Sequence, residues 1–177
     1  MQIFELSIYI LLGLAVGSFS NVCIYRIPIQ QSIVLPKSHC TNCKTPIPFY
    51  YNIPLLSYLY LKGQCAFCQN KITTRYFIVE LLIALLFLFF GWKYGLSINL
   101  IYFFILIPIF IMIFFIDLKH LIIPDSLVLL IGCLALGKLL LPNLDSIFTT
   151  LYSSALGALI ALLFIGGLII FYQYVRK

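Results

Sequence analysis

Negative charge is what this sequence has least of. Glu5, Glu80, Asp117, Asp125 and Asp145 are the only acidic residues among 177, and charged residues of both signs make up 9% of the chain against 63% hydrophobic. So little charge cannot clothe a water-exposed globule, but it suits a bilayer, where helices of about 17 to 25 apolar residues satisfy their own backbone hydrogen bonds. No Lys or Arg precedes the first apolar run, so that run reads as a retained membrane helix rather than a secretory signal. No internal repeat is obvious, no low-complexity linker separates globular domains, and no Gly-rich nucleotide loop is visible.

What is present is a series of apolar runs, at roughly 5–24, 77–92, 98–116, 121–141 and 149–172. They predict an all-α polytopic membrane protein of about five transmembrane helices. The net charge of +6 does not call for nucleic acid, because the basic residues follow the membrane instead. Arg26, Lys37, Lys44, Lys62, Lys71 and Arg75 crowd the connection between the first two runs, which has no acid before Glu80. Excess Lys and Arg marks a cytoplasmic loop. Alternating the later helices puts Lys119, Arg176 and Lys177 on that same side, so nine of the eleven basic residues lie inside. The expectation is an N-terminus outside, with the Asp117 to Asp125 turn cytoplasmic. The chain divides into a first helix (1–25), a cysteine-rich cytoplasmic insert (26–76) and a membrane domain (77–177).

Within the insert stand Cys40-Thr-Asn-Cys43 and Cys65-Ala-Phe-Cys68. Each C-x-x-C pair offers two thiolates from one tight turn, and two pairs complete a closed tetrahedral Zn²⁺ site. The spacer of 21 residues between Cys43 and Cys65 slightly exceeds the usual zinc-ribbon range of about 15 to 20, which a loop insertion absorbs. Disulfides or a redox pair are the alternatives, both disfavoured in a reducing cytoplasm. Four thiolates leave no open position, so the metal is expected to be structural. His39, beside Cys40, is a competing ligand that the quartet does not need. Cys23 and Cys133 lie in apolar runs, where a small soft side chain packs.

Four segments, in order, carry a family resemblance: GSFSNVCIYRIP at 17–28, the C-x-x-C pairs around NIPLLSYL at 52–59, RYFIVELLIALLF at 75–87 and FFIDLKHLIIPD at 114–125. Together they resemble the type IV prepilin peptidases, membrane aspartyl proteases that process prepilins and pseudopilins of pili and secretion systems. The resemblance implies an inner-membrane enzyme that cleaves a basic leader and then N-methylates the new N-terminus with S-adenosylmethionine. The cysteine-bearing insert implies the long form. The first catalytic aspartate carries over to Asp117. The second belongs to a G-x-G-D motif that these 177 residues do not contain. The expectation is therefore a member truncated before the second motif, or a fragment of a longer product, with a non-catalytic pilin-binding scaffold as the rival reading.

The remaining candidates are weighed against plainer roles. Asp125 is eight residues from Asp117, but Pro124 interrupts a common helix face, so capping of the next helix or site support is expected over a dyad role. Asp145 is expected on the opposite side of the membrane. Glu80 is either a structural ion pair, with Arg75 as counter-charge, or site support. Lys119 and His120 either tune Asp117 or form a solvated turn. Gly13 and Gly17, with Ser18 and Ser20, form a small face that packs another helix or docks the apolar helix of the substrate. The sequence is silent on oligomeric state and on where the methyl donor binds.

Overall fold

The computed structural model describes residues 3–140, together with helical residues 156, 157, 159, 160 and 163. They fall into two compact units divided after Gly132. Five helices are described: α1 (Ile3–Arg26), α2 (Leu56–Tyr60), α3 (Arg75–Tyr94), α4 (Ile98–His120) and α5 (Asp125–Leu140). Among the described residues the only β pairing is two isolated bridges, His39 with Pro46 and Gln64 with Lys71. Three helices, α1, α3 and α4, are long and apolar enough to cross a bilayer, and α5 is a shorter apolar helix. Asp145 and most of the expected run at 149–172 lie outside the described residues, the five described positions within that run being helical.

The three long helices pack as an up-down-up bundle. Small residues set the α1–α3 contact. A Cβ added at Gly13 would stand 2.6 Å from Ala84 Cα, and one at Gly17 would stand 2.8 Å from Glu80 Cα. Gly91 returns the favour from α3, lying flat against the ring of Tyr9. The pairs run in opposite senses along the two helices, which are therefore antiparallel at backbone contact, as small-x-x-x-small faces permit. α3 stops at Gly95, whose φ of +57° and ψ of −164° are essentially restricted to glycine. Ser97 then caps α4 by accepting a hydrogen bond from the Leu100 amide at 3.2 Å. Aromatic rings carry the α3–α4 contact, with Phe87 stacked on Phe104 at 3.9 Å and Phe90 against Phe103 at 4.5 Å.

Val79, Ile83, Phe87 and Ile116 are fully buried at the centre of this bundle, while Leu11, Leu85, Trp92, Phe110 and Phe114 face outward. An apolar exterior of this kind is expected of a lipid-facing surface. The small face of α1 is thus covered by α3 and does not await a substrate helix. One end of the bundle collects the C-terminus of α1, the N-terminus of α3 and the C-terminus of α4, and residues 27–74 connect the first two at that end.

Candidate metal centre and adjoining cavity

The two C-x-x-C turns fold alike, and their backbone repeats with an offset of 25 residues. In the first, the Cys40 amide donates to Thr45 O, Lys44 N–H donates to Cys40 O, and Ile47 N–H donates to Ser38 O. In the second, the Cys65 amide donates to Asn70 O, Gln69 N–H to Cys65 O, and Ile72 N–H to Gly63 O. Lys44 and Gln69 occupy equivalent positions and both are left-handed, at φ of +58° and +56°. The repeat escaped the sequence because the two turns share little beyond their cysteines.

This symmetry brings the four thiols together, with all Sγ atoms within 4.8 Å of one another. Cys40 Sγ and Cys68 Sγ are 3.8 Å apart. Four sulfurs about 2.3 Å from a zinc ion would stand about 3.8 Å apart at the corners of a tetrahedron, whereas a disulfide requires about 2.05 Å. All four cysteines are free thiols, so the donor set fits a metal of this size and softness. Hydrogen bonding by Thr45 holds the Cys43 thiol down to about 6. The amides of Cys68 and Phe67 hold Cys65 below the usual thiol value. Burial pushes Cys40 up to about 11, which makes it the last of these three to ionise among neighbouring thiolates. His39 stays out of the cluster, its Nδ1 lying 3.0 Å from Lys37 O.

Between this knot and the bundle lies a cavity of about 470 Å³, lined from α1 by Ser18 and Arg26, from the insert by Cys40, Leu55 and Cys65, and from α3 by Arg75 and Glu80. Lys119 of α4 also lines it, so the helix end that bears Asp117 borders the same space. Glu80, 7% exposed, is the acid at its floor. Its Oε2 accepts the Leu55 N–H at 2.8 Å, and Ser18 and Asn21 also hydrogen-bond to it. Arg75 is not its partner. That guanidinium lies over the Tyr76 ring at 5.0 Å, and its Nε is buried without an acceptor among the described residues.

The Leu55 contact is informative because Leu55 is strained. Its φ of +57° and ψ of −48°, with Leu56 N–H donating to Pro54 O at 2.6 Å, make a γ-turn of the rare positive-φ kind. Glu80 therefore ties the insert to α3 at a point where the backbone is least content. Arg26, 5% exposed, makes a second tie by donating to Ser32 O at 2.9 Å and Pro36 O at 2.7 Å. Neither tie could be read from sequence, since in each the side chain is paired with a backbone group, the Leu55 amide for Glu80 and the Ser32 and Pro36 carbonyls for Arg26.

Asp117 is exposed near the end of α4, whose last turn closes on a left-handed Leu121. Asp125 is the first residue of α5 and is also exposed. The amides of Leu127 and Val128 donate to Pro124 O, so Pro124 occupies the cap position and Asp125 the first turn.

Residues 11–94 match the family described as Bacterial Peptidase A24 N-terminal domain. The chain is 37% identical to the prepilin leader peptidase/N-methyltransferase of Neisseria gonorrhoeae over 179 residues, covering 88% of this chain and 61% of the relative. It is 44% identical to the protein of that name from Myxococcus xanthus (strain DK1622) over 153 residues, covering 84% and 44%. A third, from Legionella pneumophila, is 36% identical over 178 residues, covering 86% and 61%. The chain thus spans about three fifths of the length of two of these relatives and under half of the third. No solved structure matches it. By its A24 N-terminal domain and these relatives, the chain belongs to the prepilin leader peptidase/N-methyltransferase family.

Proposed function

We propose that the chain is part of a membrane aspartyl endopeptidase that removes the leader of type IV prepilins or pseudopilins at the cytoplasmic face of the inner membrane and N-methylates the new N-terminus. The observation that carries this reading is convergence. The Asp117 end of α4, buried Glu80 and the cysteine knot all meet at one end of the bundle, the end that the basic residues mark as cytoplasmic. A prepilin held by its apolar helix in the bilayer would present its leader there.

Asp117 is the catalytic carboxylate in this proposal. Aspartyl chemistry uses two carboxylates that share a proton, one activating water and the other protonating or polarising the amide. The partner is assigned to the G-x-G-D motif of the family, outside these 177 residues. Asp125 and Glu80 act in support, Asp125 within the favourable field of the α5 N-terminus and Glu80 by holding the γ-turn. Cys40, Cys43, Cys65 and Cys68 hold a structural Zn²⁺, and the division into 1–25, 26–76 and 77–177 follows from that insert. S-adenosylmethionine, when bound, supplies an electrophilic methyl group.

The deciding experiment is Asp117→Asn in the protein expressed from its native gene, assayed for leader removal. Loss of about 10²- to 10⁴-fold is expected for an acid/base catalyst, and cleavage at the wild-type rate would refute the assignment. A second reading, for these 177 residues taken alone, is a pilin-binding scaffold. Binding of a prepilin without cleavage by those residues would support it.

A further inference from the structure

We propose that the cavity between the cysteine knot and the bundle is the binding site for S-adenosylmethionine, with Glu80 and Arg75 reading the charges of the ligand. This rests on the methyl-transfer reading above and adds the site. Two charged side chains lining the cavity, buried Glu80 and half-buried Arg75, have no ion-pair partner among the described residues. Among the described residues no cation is ion-paired with Glu80, although it is 7% exposed. Arg75 has a buried Nε without an acceptor among the described residues, and its neighbour across the stack is a neutral ring, Tyr76. A buried charge is costly unless something compensates it, and orphaned buried donors are rare enough to need a reason.

A ligand carrying both signs supplies both compensations. Arg75 and Glu80 are five residues apart on α3, roughly 7.5 Å along the axis, which allows one molecule to span them with a carboxylate at one end and a cationic centre toward the other. A guanidinium is suited to a carboxylate. The carboxylate of Glu80 and the rings of Tyr25, Tyr58 and Tyr76, which line the same space, suit an ammonium or sulfonium cation. Aromatic walls also suit a purine. The volume of about 470 Å³ falls within the usual range of about 300 to 1,000 Å³ for small-molecule pockets. Amino-acid zwitterion, sulfonium and purine in one molecule describe S-adenosylmethionine. The position is apt as well, since the cavity borders the α4 end that carries Asp117, where a newly freed amine would emerge.

The test is equilibrium binding of methyl-labelled S-adenosylmethionine to the zinc-loaded protein in lipid nanodiscs, with photocrosslinking by an azido-purine analogue. Saturable binding is expected, weakened at least tenfold by Glu80→Gln and by Arg75→Gln. Glu80→Gln keeps an acceptor for Leu55 N–H, and unchanged zinc content with an unchanged unfolding midpoint would certify both folds. Crosslinks are expected on 47–58 or 72–80. Wild-type binding that neither variant weakens, or crosslinks confined elsewhere, would overturn the site while leaving methyl transfer standing. An absence of wild-type binding would overturn the methyl-transfer reading itself. Should either variant lose zinc, the wild-type crosslink positions decide.

Discussion

Two exposed residues in the cysteine turns carry a cost that the spacing alone conceals. Lys44 and Gln69 both sit at positive φ, where a residue with a Cβ is disfavoured by about 1 to 2 kcal/mol and glycine is at ease. Their side chains are exposed, so little packing is lost on truncation. Gln69→Gly is expected to stabilise the insert by about 1 kcal/mol, seen as a higher denaturant midpoint for zinc release. The clustering of the four cysteines was legible, because C-x-x-C spacing states which thiols face one another. The role of Glu80 was only half legible. Sequence proximity nominated Arg75, whereas the fold supplies the Leu55 amide, which lies 25 residues earlier in the chain. A backbone donor leaves no trace in residue identity, nor does the strain at Leu55.

At the scale of helices, register depends on glycine. A methyl group at Gly13 would meet the Ala84 backbone, which cannot yield like a flexible side chain. Gly13→Ala is expected to destabilise the bundle by about 1 to 3 kcal/mol, the usual cost of overpacking. Gly132 of α5 offers the control, for an added Cβ there meets nothing within 4 Å among the described residues. Gly132→Ala should be neutral or gain up to about 1 kcal/mol of helix propensity. Thermal unfolding in one detergent compares the two, and equal losses would contradict the packing described. The apolar runs announced α1, α3 and α4 to within a few residues, because hydrocarbon thickness fixes their length. They did not say which helix covers the small face of α1. A substrate helix and α3 look the same from that face.

For the whole molecule, the insert and the bundle should fail separately. The bundle rests on ring stacking and close helix approach, whereas residues 38–47 and 63–72 are two hydrogen-bonded turns that meet at their four clustered cysteines. Cys43 has its thiolate stabilised in the fold, with a value near 6 against an ordinary 9.0, so its contribution is complete above 9 and disappears as pH falls through about 6. Metal binding shares that direction, since protons compete with zinc for sulfur. Zinc is expected to remain at pH 7 to 8 and to leave on acidification, or on chelation at pH 7. Hydrogen exchange should then quicken at the amides of Cys40, Lys44, Cys65 and Gln69 while α1 and α3 stay protected. Simultaneous loss of protection in both regions would show one cooperative unit instead.

The twin turns also change what kind of polymer joins α1 to α3. A free connection from Ile27 to Thr74 would wander as one long tether, with its ends related only by chain statistics. Four thiolates drawn to one point divide it into three shorter segments: an arm leaving α1, a loop between the turns and an arm entering α3. Closing each costs little more than closing a short loop, because that entropy grows only as the logarithm of length. A single ion would then keep three short segments between helix ends that the bundle already holds, and its loss would merge them into one long loop in one step.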